Sequence, residues 1–511
     1  MLWQISSESV GALDFVGAIE AESTAPKESL PSLPSRVVEK SVKGREKELA
    51  ELIGARCTTG IDVSPQELIW MPKPDHVGRH RPVLTLTFEQ RVVLRAFATA
   101  VAADMPDFDR SPEAFNAFQE APTRSDAGYV VTADVASFYS YIDHELLASR
   151  IVDATAKPDI AEGLVGFLGA IAGRSYGLPQ TFQSSDPLSE LVIAPIERRL
   201  VRAGVEVYRS NDDFRLCVPS HSEGMAALEE LQAELWRVGL DLNDDKSWIL
   251  KRPTYEDNLR RADALVYEYA ESTDLSVDVD PYTGEPLGDP APTSEAGGGF
   301  GLDLIMRVFT AASKRRLGAT RLPAFESSAN RRIVIASLAH LTNLRSPDGL
   351  PMAAQLLAVD PLLARQYSFY VRATHPSGTG AAECIDEALT HFAHFTPPWV
   401  EAWLINPLLN PSAELTQQST SWLRKVAQSQ RLGVVRARAI LALAVHGKTE
   451  RAEVLRWFDA MPEVARCDMV AAAARASGSD RALDSLRKGN RLFDWVAEWA
   501  SQTADGDPAW G

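Results

Sequence analysis

Residues 205–218 read VEVYRSNDDFRLCV, two β-rich flanks closing over a Ser-Asn-Asp-Asp turn. Asn and Asp favour tight hairpins because both tolerate left-handed backbone and bond their own main chain. A hairpin here projects Asp212 and Asp213 from its tip. An isolated Asp-Asp is usually a solvated turn, so its meaning depends on what the rest of the chain brings to it.

Upstream, residues 129–135 (YVVTADV) are β-branched and aromatic, which predicts a strand that delivers Asp134 at its end. The chain continues as ASFYSYIDHELL, residues 136–147. Between strand and hairpin lies YGLPQTFQSSDPLSELVIAPIERRL, residues 176–200, with apolar residues at helical spacing after its Gly and Pro. Gly177, Pro179 and Gln180 let backbone approach a ligand closely, and Ser184 and Ser185 cap a helix or hydrogen-bond there. Strand, helix and hairpin in this order predict an α+β unit.

Phosphoryl transfer to a hydroxyl needs two Mg²⁺ ions about 3.5–4 Å apart, held by carboxylates that would otherwise repel. One Asp leaving a strand and a pair on a hairpin tip is the pattern that chemistry asks for. After the hairpin, residues 239–250 (GLDLNDDKSWIL) carry Lys246, either a general acid near a leaving pyrophosphate or simply an exposed lysine. Residues 70–97 begin WMPKPDHVGRHRPVLTL and set Lys73, Arg79 and Arg81 around a Gly turn, suited to gripping a triphosphate.

These motifs together resemble reverse transcriptases: K-P-x-x-x-x-R-x-R-P, D-V-x-x-F-Y, G-L-P-Q, a double-Asp hairpin and G-L-x-L-N-x-x-K, over roughly residues 68–252. The resemblance implies that Asp134, Asp212 and Asp213 bind two catalytic Mg²⁺ ions and that Lys73 and Arg81 touch the triphosphate. It puts Tyr139 at the position where a bulky ring crowds a ribose 2′-hydroxyl and selects dNTPs; the plainer reading is a half-buried aromatic. Two departures stand out. The turn is Ser-Asn-Asp-Asp where an aromatic and a small residue are usual, and Thr181 replaces the second Gly of the G-L-P element.

With 511 residues, the chain is long enough for several domains. We read 1–35 as a lead-in, 36–128 as fingers, 129–254 as palm, 255–300 as a connector and 301–511 as an all-α, repeat-like (HEAT-like) domain. Residues 36–100 hold eleven Lys or Arg against eight Asp or Glu, while the whole chain carries a formal charge of -17. Non-specific coating of nucleic acid is thereby disfavoured, and any channel must be local. Residues 271–300 contain seven carboxylates, no Lys or Arg, and dense Pro and Gly, and predict a loop. From residue 301 the apolar spacing is helical.

The four cysteines show no metal-ligand or disulfide spacing. The N-terminus lacks the pattern of a signal peptide and no run is long enough for a membrane span, so the expected compartment is the bacterial cytoplasm, with no membrane partner. In the helical part, Arg424, Lys425, Arg431, Arg436 and Arg438 read as a solvated face or as a groove for RNA or product. Tyr367 and Tyr370 read as core aromatics or as hydroxyl primers.

A core of this type followed by a large helical region resembles the bacterial abortive-infection and defence-associated reverse transcriptases. That resemblance implies a homo-oligomer acting against phages, with an RNA template or non-coding RNA, a DNA product, and synthesis that is protein-primed or lacks an ordinary template. Two alternatives stay open: a conventional RNA-templated enzyme of a mobile element, and an inert palm whose helical region binds a partner protein.

Overall fold

A computed structural model describes residues 2–24, 33–34, 37–63, 66–73, 80–260, 302–318, 324–392 and 395–503. The acidic stretch 271–300 and Arg79 lie outside them. The chain divides into two compact units. One comprises Met1–Ile19, Ala50–Gln66 and Glu89–Ala264; the other comprises Glu20–Leu49, Glu67–Phe88 and Leu265–Gly511.

The short strands β1 (Leu2–Trp3) and β2 (Ile61–Asp62) pair antiparallel in the first unit. The Trp3 indole donates to the Gly163 carbonyl at 3.0 Å and packs on Phe97 and Phe167, which fastens the N-terminus to the helix Pro158–Ala172. In the second unit, β3 (Leu68–Pro72) and β4 (His80–Leu84) form a hairpin that packs on the helix Pro398–Ile405. Glu67–Phe88, inside the stretch read as fingers, therefore folds with the second unit.

The first unit is built on a four-stranded antiparallel sheet of order β6-β7-β5-β8, with β5 at Tyr129–Asp134, β6 at Glu206–Ser210, β7 at Asp213–Val218 and β8 at Trp248–Lys251. The β-branched run of β5 pairs on both edges, with β7 and β8. Both of its faces are covered. Val131 faces the helix His221–Trp236, where a Cβ on Gly224 would stand 3.0 Å from Ile249 and 3.5 Å from Val131, so a larger residue would require Ile249 to shift. Val130, on the opposite face, clusters with Cys217 and Tyr255. The helix Asp186–Arg202 packs beside β6.

The second unit's described residues are mostly helical from Leu302 onward, as the apolar periodicity predicts. From Ala324–Leu344, the helices Ala364–Thr374, Pro398–Ile405, Gly433–Val445, Glu463–Arg475 and Arg491–Gln502 each pack on the one before in this series. Other helices intervene in sequence, so alternate helices build a continuous row. The core runs through this row and is filled by side chains such as Trp399, Trp403 and Phe309. Among the described residues no helix is long and apolar enough to cross a membrane.

Candidate active site

Asp134 ends β5 and Asp213 begins β7, and the register sets them directly opposite one another. The connection from β6 to β7 is the two-residue loop Asn211-Asp212, closed by the Ser210–Asp213 pair. Asn211 takes a left-handed conformation (φ 53°), which asparagine tolerates better than most residues. The Val135 amide donates to the Asp212 carbonyl at 3.1 Å, and the Asn243 amide to the Asp134 carbonyl at 2.8 Å. The carboxylate-bearing ends of strand and hairpin are thus locked by main chain.

The Asp134 carboxylate receives hydrogen bonds from Asn243 Nδ2 at 2.9 Å and from Lys246 Nζ at 3.2 Å. Lys246 sits in a single 3-10 turn, Asp244–Lys246, with its side chain about half exposed. Burial pushes the Asp213 carboxyl above the usual carboxylate range; Arg215 draws it back, Asp134 pushes it further up, and Lys246 draws it down. The Asp212 carboxylate accepts from Asn211 Nδ2 at 2.9 Å. Among the described residues no group of three or more His, Cys, Asp or Glu side chains converges at metal-ligand geometry. Asp134 and Asp213 are cross-strand neighbours, and Asp212 lies in the adjoining turn.

The G-L-P-Q segment is anchored to the turn that follows β5. The Gly177 amide donates to the Ile142 carbonyl and the Leu178 amide to the Tyr139 carbonyl, both at 2.7 Å. Gly177 is left-handed (φ 95°), and a Cβ there would meet the Ser140 carbonyl oxygen at 3.0 Å. Gln180 Nε2 donates to Ser140 Oγ at 2.7 Å, and His144 Nε2, buried, to the Gly177 carbonyl at 2.8 Å. Asp143 caps the helix His144–Thr155, so the Asp-His pair serves structure. Ser185 Oγ donates to the Pro179 carbonyl at 2.7 Å instead of capping the following helix. Ser184 is buried, and its hydroxyl finds no partner among the described residues. Thr181 is left-handed as well (φ 69°), so the backbone keeps the glycine-like conformation even though a β-branched residue occupies it.

Tyr139 is half-buried, and its hydroxyl is fully engaged. It accepts from Arg110 Nη1 at 2.7 Å and donates to Asp186 Oδ1 at 2.8 Å. Burial, and then the Asp186 charge, move this phenol well above its ordinary range. Arg110, Asp186, Glu190 and Arg209 escaped the sequence reading. Arg110 precedes Ser-Pro-Glu and reads as helix punctuation, for Ser111 caps the helix Pro112–Glu120.

Two of the expected site residues belong to the second unit. Lys73 follows β3, and Arg81 lies on β4 opposite Met71, both in the second unit. The basic run of the helical unit is not one surface. Arg424 and Lys425 are exposed, Arg431 pairs with Glu401 and lies over the Phe395 ring, and Arg438 is buried and donates to Asn406 Oδ1 at 2.8 Å. Tyr367 and Tyr370 are core residues, their hydroxyls donating to the Cys384 and Ser346 carbonyls. They are inaccessible as primers in this fold.

None of the curated proteins compared matches the chain. One solved structure, described as an "RdRp complex", is similar at 11% identity with a TM-score of 0.33; the match covers 92% of this chain and 47% of the other. The chain thus spans about half the length of that structure's chain. Residues 71–260 match the family model described as reverse transcriptase (RNA-dependent DNA polymerase), and this stretch, which contains the Asp134–Asp213 pair, is a reverse-transcriptase-family domain.

Proposed function

We propose that the protein is a reverse-transcriptase-type DNA polymerase that adds dNTPs, with Asp134, Asp212 and Asp213 holding two Mg²⁺ ions. The observation that carries this reading is the cross-strand pairing of Asp134 with Asp213, beside a turn that bears Asp212. The donor set fits a divalent cation: two facing carboxylates, one of them with its charged form disfavoured by burial, gain from a positive charge between them. Asp212 would join by giving up its bond to Asn211 Nδ2. Bound there, Mg²⁺ would activate the primer hydroxyl and neutralise charge on the triphosphate.

The chain's own residues supply the rest. Tyr139 walls the sugar site, and the G-L-P-Q segment offers Gly177, Pro179 and Gln180 to the nucleotide. Lys246, once released from Asp134, is the proton donor to the departing pyrophosphate. That Lys73, Arg79 and Arg81 contact the triphosphate rests on the resemblance to reverse transcriptases alone. The row of alternate helices supports the repeat-like reading of the second unit as a holder of RNA, product or sister subunits. The defence role, action in the bacterial cytoplasm, and synthesis that is protein-primed or lacks an ordinary template rest on the resemblance to abortive-infection enzymes.

The test is synthesis of acid-insoluble DNA from labelled dNTPs with Mg²⁺, by the wild type and by Asp212→Ala, together with sequencing of co-purified nucleic acid. The reading expects incorporation that the variant loses by at least about a hundredfold. Undiminished incorporation by the variant overturns it.

A further inference from the structure

Arg110 lies in the segment before the helix Pro112–Glu120, 24 residues upstream of Asp134, yet its guanidinium reaches the centre of the first unit. Nη1 donates to the Tyr139 hydroxyl and to Asp186 Oδ1, both at 2.7 Å. Nη2 donates to Ser189 Oγ at 3.1 Å and to the Asp186 carbonyl at 3.3 Å, and it lies 3.5 Å from Glu190 Oε2. The Tyr139 phenol closes the triangle by donating to the same Asp186 oxygen. Every one of these groups is largely out of solvent, where charge-assisted hydrogen bonds are strongest and hardest to surrender.

The network also extends past the tyrosine. Glu190 is shared between Arg110 and Arg209, and Arg209 donates to the Asn211 carbonyl at 3.0 Å, in the turn that bears Asp212. Arg209 further pairs with Glu197 at 2.8 Å. An unbroken series of hydrogen bonds and ion pairs therefore joins the Tyr139 hydroxyl to the aspartate turn. A phenol with only van der Waals neighbours could change rotamer at small cost; this one must break two charge-assisted bonds to move.

We propose that Arg110 is a positioning residue that sets sugar selectivity: with Asp186 it clamps the Tyr139 hydroxyl, so the ring forms a rigid wall against a ribose 2′-hydroxyl. The inference rests on the reading of this centre as a nucleotide site. Steric exclusion by a wall that can yield discriminates weakly, and a clamped wall discriminates more strongly. Lysine keeps the charge of Arg110 but lacks the planar fork that spans Tyr139, Asp186 and Ser189.

The experiment compares wild type, Arg110→Ala, Arg110→Lys, Tyr139→Phe and the Arg110→Ala/Tyr139→Phe double variant. Each is checked for folding by circular dichroism and thermal melting. Equilibrium affinities for dATP and ATP are then measured, and KM and kcat for the incorporation of each. The wild type should favour dATP. Arg110→Ala and Tyr139→Phe should each reduce that preference by roughly tenfold, chiefly through KM for ATP, with Arg110→Lys intermediate and the double variant no worse than either single. A folded Arg110→Ala protein with the wild-type preference overturns the proposal, and so does a wild type that binds both nucleotides alike. A protein that binds with the expected preferences but incorporates neither nucleotide contradicts the polymerase reading and leaves the clamp supported.

Discussion

Asp134 and Asp213 are direct cross-strand partners at the ends of β5 and β7, and Lys246 donates to Asp134 from 3.2 Å. The lysine and Arg215 supply the positive charge that two facing carboxylates need. A divalent cation is a stronger and more compact source of the same charge. Under the proposed polymerase reading, a cation bound between the pair would compete with Lys246.

Tyr139→Ala should admit ribonucleotides. Removing the ring opens the space that a 2′-hydroxyl needs, whereas the clamp variants only loosen it. The measurement is the ratio of rNTP to dNTP incorporation, expected to rise by about tenfold or more relative to wild type. Identical ratios would remove Tyr139 from the sugar site.

Thr181→Gly should stabilise the first unit. A β-branched residue at φ 69° carries a left-handed penalty, and its hydroxyl is buried with no partner among the described residues. The gain is about 1 kcal/mol after the added chain entropy of glycine is subtracted. Chemical denaturation reads it. A destabilised variant would mean that the threonine methyl packing outweighs the strain.

Arg438→Ala and Arg424→Ala should separate two residues that look alike in sequence. Arg438 is buried beside Asn406 and in the field of Asp468, so its removal should cost about 3–5 kcal/mol. Arg424 is exposed, and its removal should stay within about 0.5 kcal/mol. Equal effects in a denaturation series would contradict the buried placement.

Glu401→Gln tests the second unit by pH. Burial pushes the Glu401 carboxyl up to about 7, with Arg431 and Lys425 pulling the other way. The folded value is raised, so this group's stability contribution is full below pH about 4.5 and is lost as pH rises through 7, a swing of about 3 kcal/mol. The variant should melt above wild type at pH 8 and close to it at pH 5. An unchanged difference at the two pH values would count against the shift.

The strand and hairpin at the centre of the first unit were legible because a β-branched run and an Asn-Asp turn restrict residue type and spacing. The sequence puts Asp134 at the end of a strand and Asp212 on a turn, as found, while Asp213 is the first residue of β7 rather than part of the turn. The Thr181 departure was visible as a residue change, but that the position keeps a left-handed backbone is shown only by the fold. Arg110 was not legible, because a cation 76 residues from Asp186 carries no periodic signal and only the fold joins them. Helical period marked the second unit, but it did not show that Arg438 points inward, nor that Glu67–Phe88 folds with those helices.

The most direct measurement is the divalent-cation dependence of dNTP incorporation by wild type, Asp134→Asn and Asp213→Asn, each near-isosteric and each confirmed folded by its melting transition. Incorporation by the wild type should appear with added Mg²⁺ and vanish with chelator, and each variant should lose at least about a hundredfold at saturating dNTP. Incorporation by folded Asp134→Asn and Asp213→Asn at the wild-type rate would contradict the assignment of this pair as the metal-holding centre of a polymerase.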